Sequence, residues 1–391
     1  MPDGLVDREA EQLGDLDSYE GTLGGLTRRE FINYCAGVAA FLGLPSAMGV
    51  KIAEAASAAA RRPSVIWLSG SACTGCTETL LRTNHPSLDT LILEQISLEY
   101  CETLSVGSGH QAENWKKKAM QENHGKYLMV LDGAVSTKDN GIYAKVAGQT
   151  VLEMVQEVAA GAAAVVSIGS CGSWGGWPST GVNPTGCKGL PEVLKGKPVV
   201  TIPGCPPNPY NFLSTVLHFV TFGKLPELDD KGRPKFAYGR LIHENCERRP
   251  HFDAGRFAME FGDYGHRQGY CLYKLGCKGP ETYANCPSIG FNDVGQGTWP
   301  VGTGHPCFGC TEQGVGFSKP IHELASLKSV APPNSYPDVR SEKGNGASPG
   351  AVAAVAGITG AAIGAGAVIA SRLGKQDKAD ESPQSTGKTG A

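Results

Sequence analysis

Five short apolar runs punctuate the first part of the chain: Val65–Leu68, Leu91–Leu93, Tyr127–Leu131, Ala164–Ile168 and Pro198–Ile202. Short runs with no polar face predict strands buried in a parallel sheet. Between them apolar residues return at helical spacing, as at Val151, Val155 and Val158, and again at Phe212, Val216 and Val220. This alternation predicts an α/β fold, a flavodoxin-like doubly wound parallel sheet over residues 61–235. From about residue 236 both periodicities fade, and Gly, Pro and aromatic residues crowd between cysteines. That texture predicts an irregular second domain over 236–330 with little conventional core. No internal repeat is visible.

The two ends read differently. Arg28-Arg29 precede an apolar stretch from Tyr34 to Val50 and the small-residue sites Ala53-Glu54-Ala55 and Ala58-Ala59-Ala60. Paired arginines, a moderate apolar run and an Ala-rich end predict a twin-arginine (Tat) export signal over 1–60. An ordinary amphipathic helix is the competing reading. Near the other end, Ala351–Ala370 carries no charge and no Pro. As a helix it would span roughly 30 Å, one hydrocarbon core, so it is expected to be a C-terminal transmembrane helix. Arg372, Lys375 and Lys378 follow and predict a cytoplasmic tail over 371–391, with the folded body outside. A low-complexity Ala/Gly linker is the competing reading. Residues 331–350, rich in Pro and Gly, read as a tether.

Composition narrows the function. The chain has 391 residues, 41% hydrophobic and 19% charged, which excludes a disordered chain. A net charge of -3 supplies no broad basic surface, so no nucleic-acid partner is expected. The informative count is thirteen Cys. Three expected strands run straight into a cysteine turn. Leu68 leads to Cys73 and Cys76, Ile168 to Cys171, and Ile202 to Cys205. Ligands of open α/β sheets bind beyond the carboxyl ends of strands, so these four thiols can converge. The second region adds His243, Cys246, Cys271, Cys277, Cys286, Cys307 and Cys310. Ten cysteines and one histidine divide as four, four and three. Structural zinc favours two close pairs, and a disulfide framework suits an exported protein. Thiols on Gly-rich loops favour iron–sulfur clusters over both. Spacing alone does not say which cysteine joins which cluster.

The motifs are also specific. Cys73-Thr74-Gly75-Cys76-Thr77-Glu78, Gly169-Ser170-Cys171, Pro203-Gly204-Cys205-Pro206-Pro207, Arg248-Arg249-Pro250-His251-Phe252-Asp253-Ala254-Gly255 and Gly276-Cys277-Lys278-Gly279-Pro280 resemble the small subunit of membrane-bound nickel–iron hydrogenases. The resemblance covers nearly the whole chain. It implies two 4Fe–4S clusters and one 3Fe–4S cluster. Cys73, Cys76, Cys171 and Cys205 match the proximal 4Fe–4S ligands. His243, Cys246, Cys271 and Cys277 match the distal 4Fe–4S ligands. Cys286, Cys307 and Cys310 match the medial 3Fe–4S ligands, with Pro300 where a fourth thiol would stand. It further implies a separate large subunit holding the nickel–iron site, in a heterodimer or a multiple of it. No residue of this chain cleaves hydrogen; its expected role is to relay electrons to a b-type cytochrome of the membrane and on to quinone. Oxygen-tolerant relatives carry two more cysteines, where this chain has Gly75 and Gly176. That implies a standard four-thiolate proximal cluster. Ala72 replaces the acidic residue often found before the first ligand. Cys101 and Cys187 match no ligand position and read as structural, and Cys35 lies in the signal. Two rival readings are a quinone-side subunit of respiratory complex I and a hydrogen sensor. The second cluster-rich region and the export signal oppose the first, and the export signal and the C-terminal anchor oppose the second.

Overall fold

The computed structural model describes residues 62–333, apart from 85–86, 88–89, 92–95 and 292–297, together with scattered positions between 33 and 48. The twin-arginine motif and the run 351–370 lie outside the described residues. Among the described residues, no helix is long and apolar enough to cross a membrane.

Five strands form the central sheet: β1 (Ser64–Ser69), β2 (Ser97–Cys101), β3 (Leu128–Asp132), β4 (Ala164–Ile168) and β5 (Val200–Ile202). Their order is β2-β1-β3-β4-β5, and all pairings are parallel, with Val65 opposite Leu128, Val130 opposite Val166 and Ser167 opposite Thr201. This is the flavodoxin order, with its switch point between β1 and β3. Successive side chains point to opposite faces. Val65, Trp67, Val130 and Val166 therefore meet Phe212 and Val216 of helix Pro209–Phe222 on one face. Ile66, Leu68, Met129, Leu131 and Val165 meet Met154, Val155 and Val158 of helix Val151–Ala160 on the other. Thr150 closes the start of that second helix in a capping box with Glu153.

One expected strand is misplaced. Thr90 and Leu91 are helical, and the Leu91 N–H donates to Ser87 O at 2.9 Å. The rest of that run falls outside the described residues. The second strand is instead Ser97–Cys101, whose half-buried polar residues Ser97 and Glu99 interrupt any apolar run. The physical reason is its place at the sheet edge. An edge strand alternates polar and apolar residues, whereas Leu91 is an apolar residue buried from a helical turn.

From 236 onward the described chain is built of short turns. Helices α1 (Ile242–Asn245) and α2 (Arg249–Asp253), and the 3₁₀ turns Tyr273–Leu275 and Gly279–Glu281, are among its few regular pieces. Its core includes Tyr238, Ile242, Leu272 and Trp299, but also Cys246, Cys277 and Cys307. Arg249, Lys278, Glu281 and Glu312 are buried there too.

Candidate metal centres

The ends of β1, β4 and β5 bring Cys73, Cys76, Cys171 and Cys205 together at the carboxyl edge of the sheet. Two of the turns are stapled: Ser170 N–H donates to Gly204 O at 2.9 Å, and Gly204 N–H returns to Ser170 Oγ at 3.1 Å. The thiols sense one another. Burial raises the Cys76 pKa, and the charges of Asp132, Cys171 and Cys205 raise it further. Cys171 is pushed up to about 11 by burial, with Cys205 and Cys73 adding to it. Sulfur also crowds glycine here. A Cβ on Gly169 would stand 2.3 Å from Cys76 Sγ, and one on Gly75 3.3 Å from Cys73 Sγ.

A second group surrounds a small cavity of about 10 Å³ lined by His243, Cys246, Cys271 and Cys277, with Arg249, Tyr273 and Pro280. His243 is buried and its Nε2 has no hydrogen-bond partner. Burial, and then the Arg249 charge, lower its pKa to about 4, so the ring is a neutral imidazole with a lone pair to offer. Phe252 holds the ring edge-on at 4.5 Å. Burial pushes Cys271 up to about 12 and raises Cys246 and Cys277 as well.

A third group surrounds a small cavity of about 10 Å³ lined by Cys286, Cys307 and Cys310 together with Trp299 and Pro300. Burial pushes Cys286 up to about 12 and raises both partners. The lining holds no fourth thiol, and Pro300 offers no donor of its own.

The three groups lie in a row. Cys310 lies close enough to Cys205 for both the backbone and the thiol of Cys205 to act on the Cys310 pKa, linking the third group to the first, and the Cys310 carbonyl accepts from Ser170 Oγ. Cys277 and Cys307 lie close enough to act on each other's pKa, linking the second to the third, and Lys278 N–H donates to Cys307 O at 2.6 Å. Ile242 lines both cavities. Among the described residues, no three His, Cys, Asp or Glu side chains come close enough to share a single ion. The sulfurs ring spaces instead. Buried thiols of raised pKa are neutral by themselves, and a multivalent metal core is what stabilises their thiolates.

Cys101 and Cys187 lie apart from these groups. Both are buried, Cys101 beside Thr103 Oγ1 and Cys187 beside Thr185 Oγ1 and Ser136 Oγ. Several neighbours escaped the reading of the sequence. Asp132 ends β3, is buried, and accepts from Thr77 N–H and Oγ1 at 3.2 and 2.9 Å. Burial raises its pKa, and Cys76 lies near enough to act on it in turn. An acid closing an otherwise apolar strand was the available signal. The burial of Arg249 and Lys278 left no such local mark.

Comparison with known proteins supplies the class. Residues 238–322 match the family model for the C-terminal part of the NiFe/NiFeSe hydrogenase small subunit. Residues 73–219 match the model described as NADH ubiquinone oxidoreductase, 20 Kd subunit. The chain belongs to the nickel–iron hydrogenase small-subunit family. It is 54% identical to the hydrogenase-2 small chain of Escherichia coli K12, over 91% of this chain and 95% of that one. It is 47% identical to the periplasmic [NiFe] hydrogenase small subunit of Solidesulfovibrio fructosivorans, over 74% of this chain and 90% of that one. The solved [NiFeSe] hydrogenase of Desulfovibrio vulgaris Hildenborough superposes with a TM-score of 0.60 at 33% identity, covering 68% of this chain and 98% of that one.

Proposed function

We propose that this chain is the electron-transfer subunit of an uptake hydrogenase. It accepts electrons released from hydrogen in a separate large subunit and delivers them to a membrane acceptor, a b-type cytochrome feeding quinone. The observation that carries this reading is the row of three sulfur-lined groups, linked through Cys205–Cys310 and Cys307–Cys277. When bound, iron–sulfur clusters supply one-electron carriers whose potentials follow ligand charge and burial.

The residues divide the work. Cys73, Cys76, Cys171 and Cys205 would hold the proximal 4Fe–4S cluster at the edge of the sheet. His243, Cys246, Cys271 and Cys277 would hold the distal 4Fe–4S cluster, and the unpartnered His243 Nε2 supports that role. Cys286, Cys307 and Cys310 would hold the medial 3Fe–4S cluster, and the place of Pro300 in that cavity supports three thiolates without a fourth. Gly176 supports a four-thiolate proximal site. Its φ is +47°, and an added Cβ would stand 2.6 Å from Cys171 N and 2.9 Å from its Sγ. A cysteine there would be strained and would collide with the ligand turn. The chain's own work is to exclude water and hold its ligands rigid, which keeps reorganisation small.

Export and anchoring complete the proposal. Arg28-Arg29 and the run 351–370 would put the body on the periplasmic face, where the Solidesulfovibrio relative is named as lying.

The test is hydrogen-dependent dye reduction by the complex drawn from membranes through a tag on this chain. Activity with a co-purifying nickel protein is expected. Intact clusters with neither nickel nor activity would point to another redox complex. Pro300→Cys should convert the medial electron-spin-resonance signal from the 3Fe–4S toward the 4Fe–4S type. An unchanged signal would remove Pro300 from that site.

A further inference from the structure

The last described stretch of chain crosses the loops that carry the second thiol group. Gly276, just before Cys277, has φ +92°. A Cβ there would stand 2.5 Å from both His322 Cα and Ile321 O, so the strap's backbone rests directly on the ligand loop. Lys278, just after Cys277, is only 1% exposed. Its ammonium donates to Gly276 O at 3.0 Å, to Ile321 O at 3.2 Å and to Glu323 O. Tyr273 Oη donates to Ala325 O at 3.0 Å. Lys328 Nζ reaches Glu281 O at 3.3 Å. At the far end Arg249, fully buried, holds Asp253 with its Nε and donates from Nη2 to Ala331 O at 2.7 Å. Arg249 and Tyr273 also line the His243–Cys277 cavity. The strap is therefore held from two separate loops, both carrying residues of that cavity.

We propose that residues 321–331 form a clasp whose docking is linked to loading of the cluster held by His243, Cys246, Cys271 and Cys277. The inference rests on that ligand reading. The bound cluster and the docked strap require the same arrangement of loops 242–253 and 271–281. Whatever stabilises one therefore stabilises the other, by the same factor in each direction. With the ligands fixed, Lys278, Tyr273 and Arg249 stand where the strap carbonyls need them. With the ligands free, the donors lose that register and the clasp opens. The device makes the chain leave the distal site at a fixed point only in a loaded subunit.

The experiment uses the purified heterodimer with its clusters. Iron and acid-labile sulfide are measured first. Limited trypsin digestion then follows cleavage after Lys328 by mass spectrometry, and a chelator challenge follows loss of the distal cluster's spin-resonance signal. Cys246→Ala should raise cleavage after Lys328 by at least about 10-fold while cleavage after Lys145 in the sheet region stays unchanged. The milder Tyr273→Phe removes one hydrogen bond and should speed both strap cleavage and distal-cluster loss by about 5-fold. Equal strap cleavage in wild type and Cys246→Ala would overturn the proposal. Faster cleavage in Tyr273→Phe with unchanged cluster loss would overturn it as well, because linkage must act in both directions. A wild-type complex without iron and sulfide would sink the cluster reading itself, and the clasp with it.

Discussion

The sheet region and the cysteine-rich region bury different chemistry. Around the sheet the interior is aliphatic: Ile66, Leu68, Met129, Leu131 and Val155 are each under 1% exposed. Such burial contributes roughly 1.5–3 kcal/mol per large side chain and asks for no particular partner. Beyond residue 236 the interior holds Arg249, Lys278, Glu281 and Glu312 beside the thiols. Buried charges contribute little net stability and become costly when one partner is removed. The contrast shows one region whose core asks for no particular partner and another whose buried polar groups each need one. Its short helices, four or five residues each, cannot hold themselves together without that tertiary support.

The strongest way to break the contrast is to remove the iron. Hydrogen exchange should then accelerate by about 100-fold in α1, α2 and residues 271–281, while β3 and β4 stay within about 2-fold. Equal acceleration in both regions would erase the distinction. Next in size is Glu312→Gln. Glu312 is buried between Lys231 and Arg233, 2.9 Å from Arg233 Nη1. The change should cost about 4 kcal/mol in thermal unfolding, because Arg233 is left buried beside Asp229 alone. The same residue gives a pH signature. Burial works to raise the Glu312 pKa, but Lys231 and Arg233 outweigh it and hold the carboxyl below its ordinary 4.5. A folded pKa below the unfolded one stabilises fully above about pH 4.5, and that contribution is lost as pH falls through the folded value. The variant should lose this acid limb; identical acid slopes would remove Glu312 from the account.

Two smaller changes probe the sheet. Leu131→Ala should cost about 3 kcal/mol through the cavity it leaves, with the cluster signals of the complex unchanged. Altered distal or medial signals would mean that the regions are not separable. Thr150→Ala removes the capping box, in which Glu153 N–H donates to Thr150 Oγ1 at 3.2 Å. It should cost about 1 kcal/mol, and a loss above about 3 kcal/mol would mean that this helix start does more than cap.

Much of the sheet was legible because both faces of β3 and β4 are covered and their runs are almost wholly apolar. Strand β2 was not, because its outer side needs no apolar residues, while buried Leu91 imitated a strand. In the second region the cysteines stood out by type. The residues that pack around them did not: Lys278 and Arg249 look like surface cations in the sequence, and their partners, the Gly276, Ile321 and Glu323 carbonyls for Lys278 and Asp253 and the Ala331 carbonyl for Arg249, account for their burial.

The chain's own order of residues determined where strands end in thiols, since strand periodicity and the Gly turns that follow are local properties. It also determined which residues could serve as ligands, because that is a matter of side-chain chemistry. Tertiary structure alone decided that Cys310 faces Cys205, that Cys277 faces Cys307 and that Pro300 closes the third cavity. Those meetings join residues tens of positions apart. They depend on side chains bonding distant backbone, as Ser170 does to Cys310 across 140 positions, and no local period encodes such a bond.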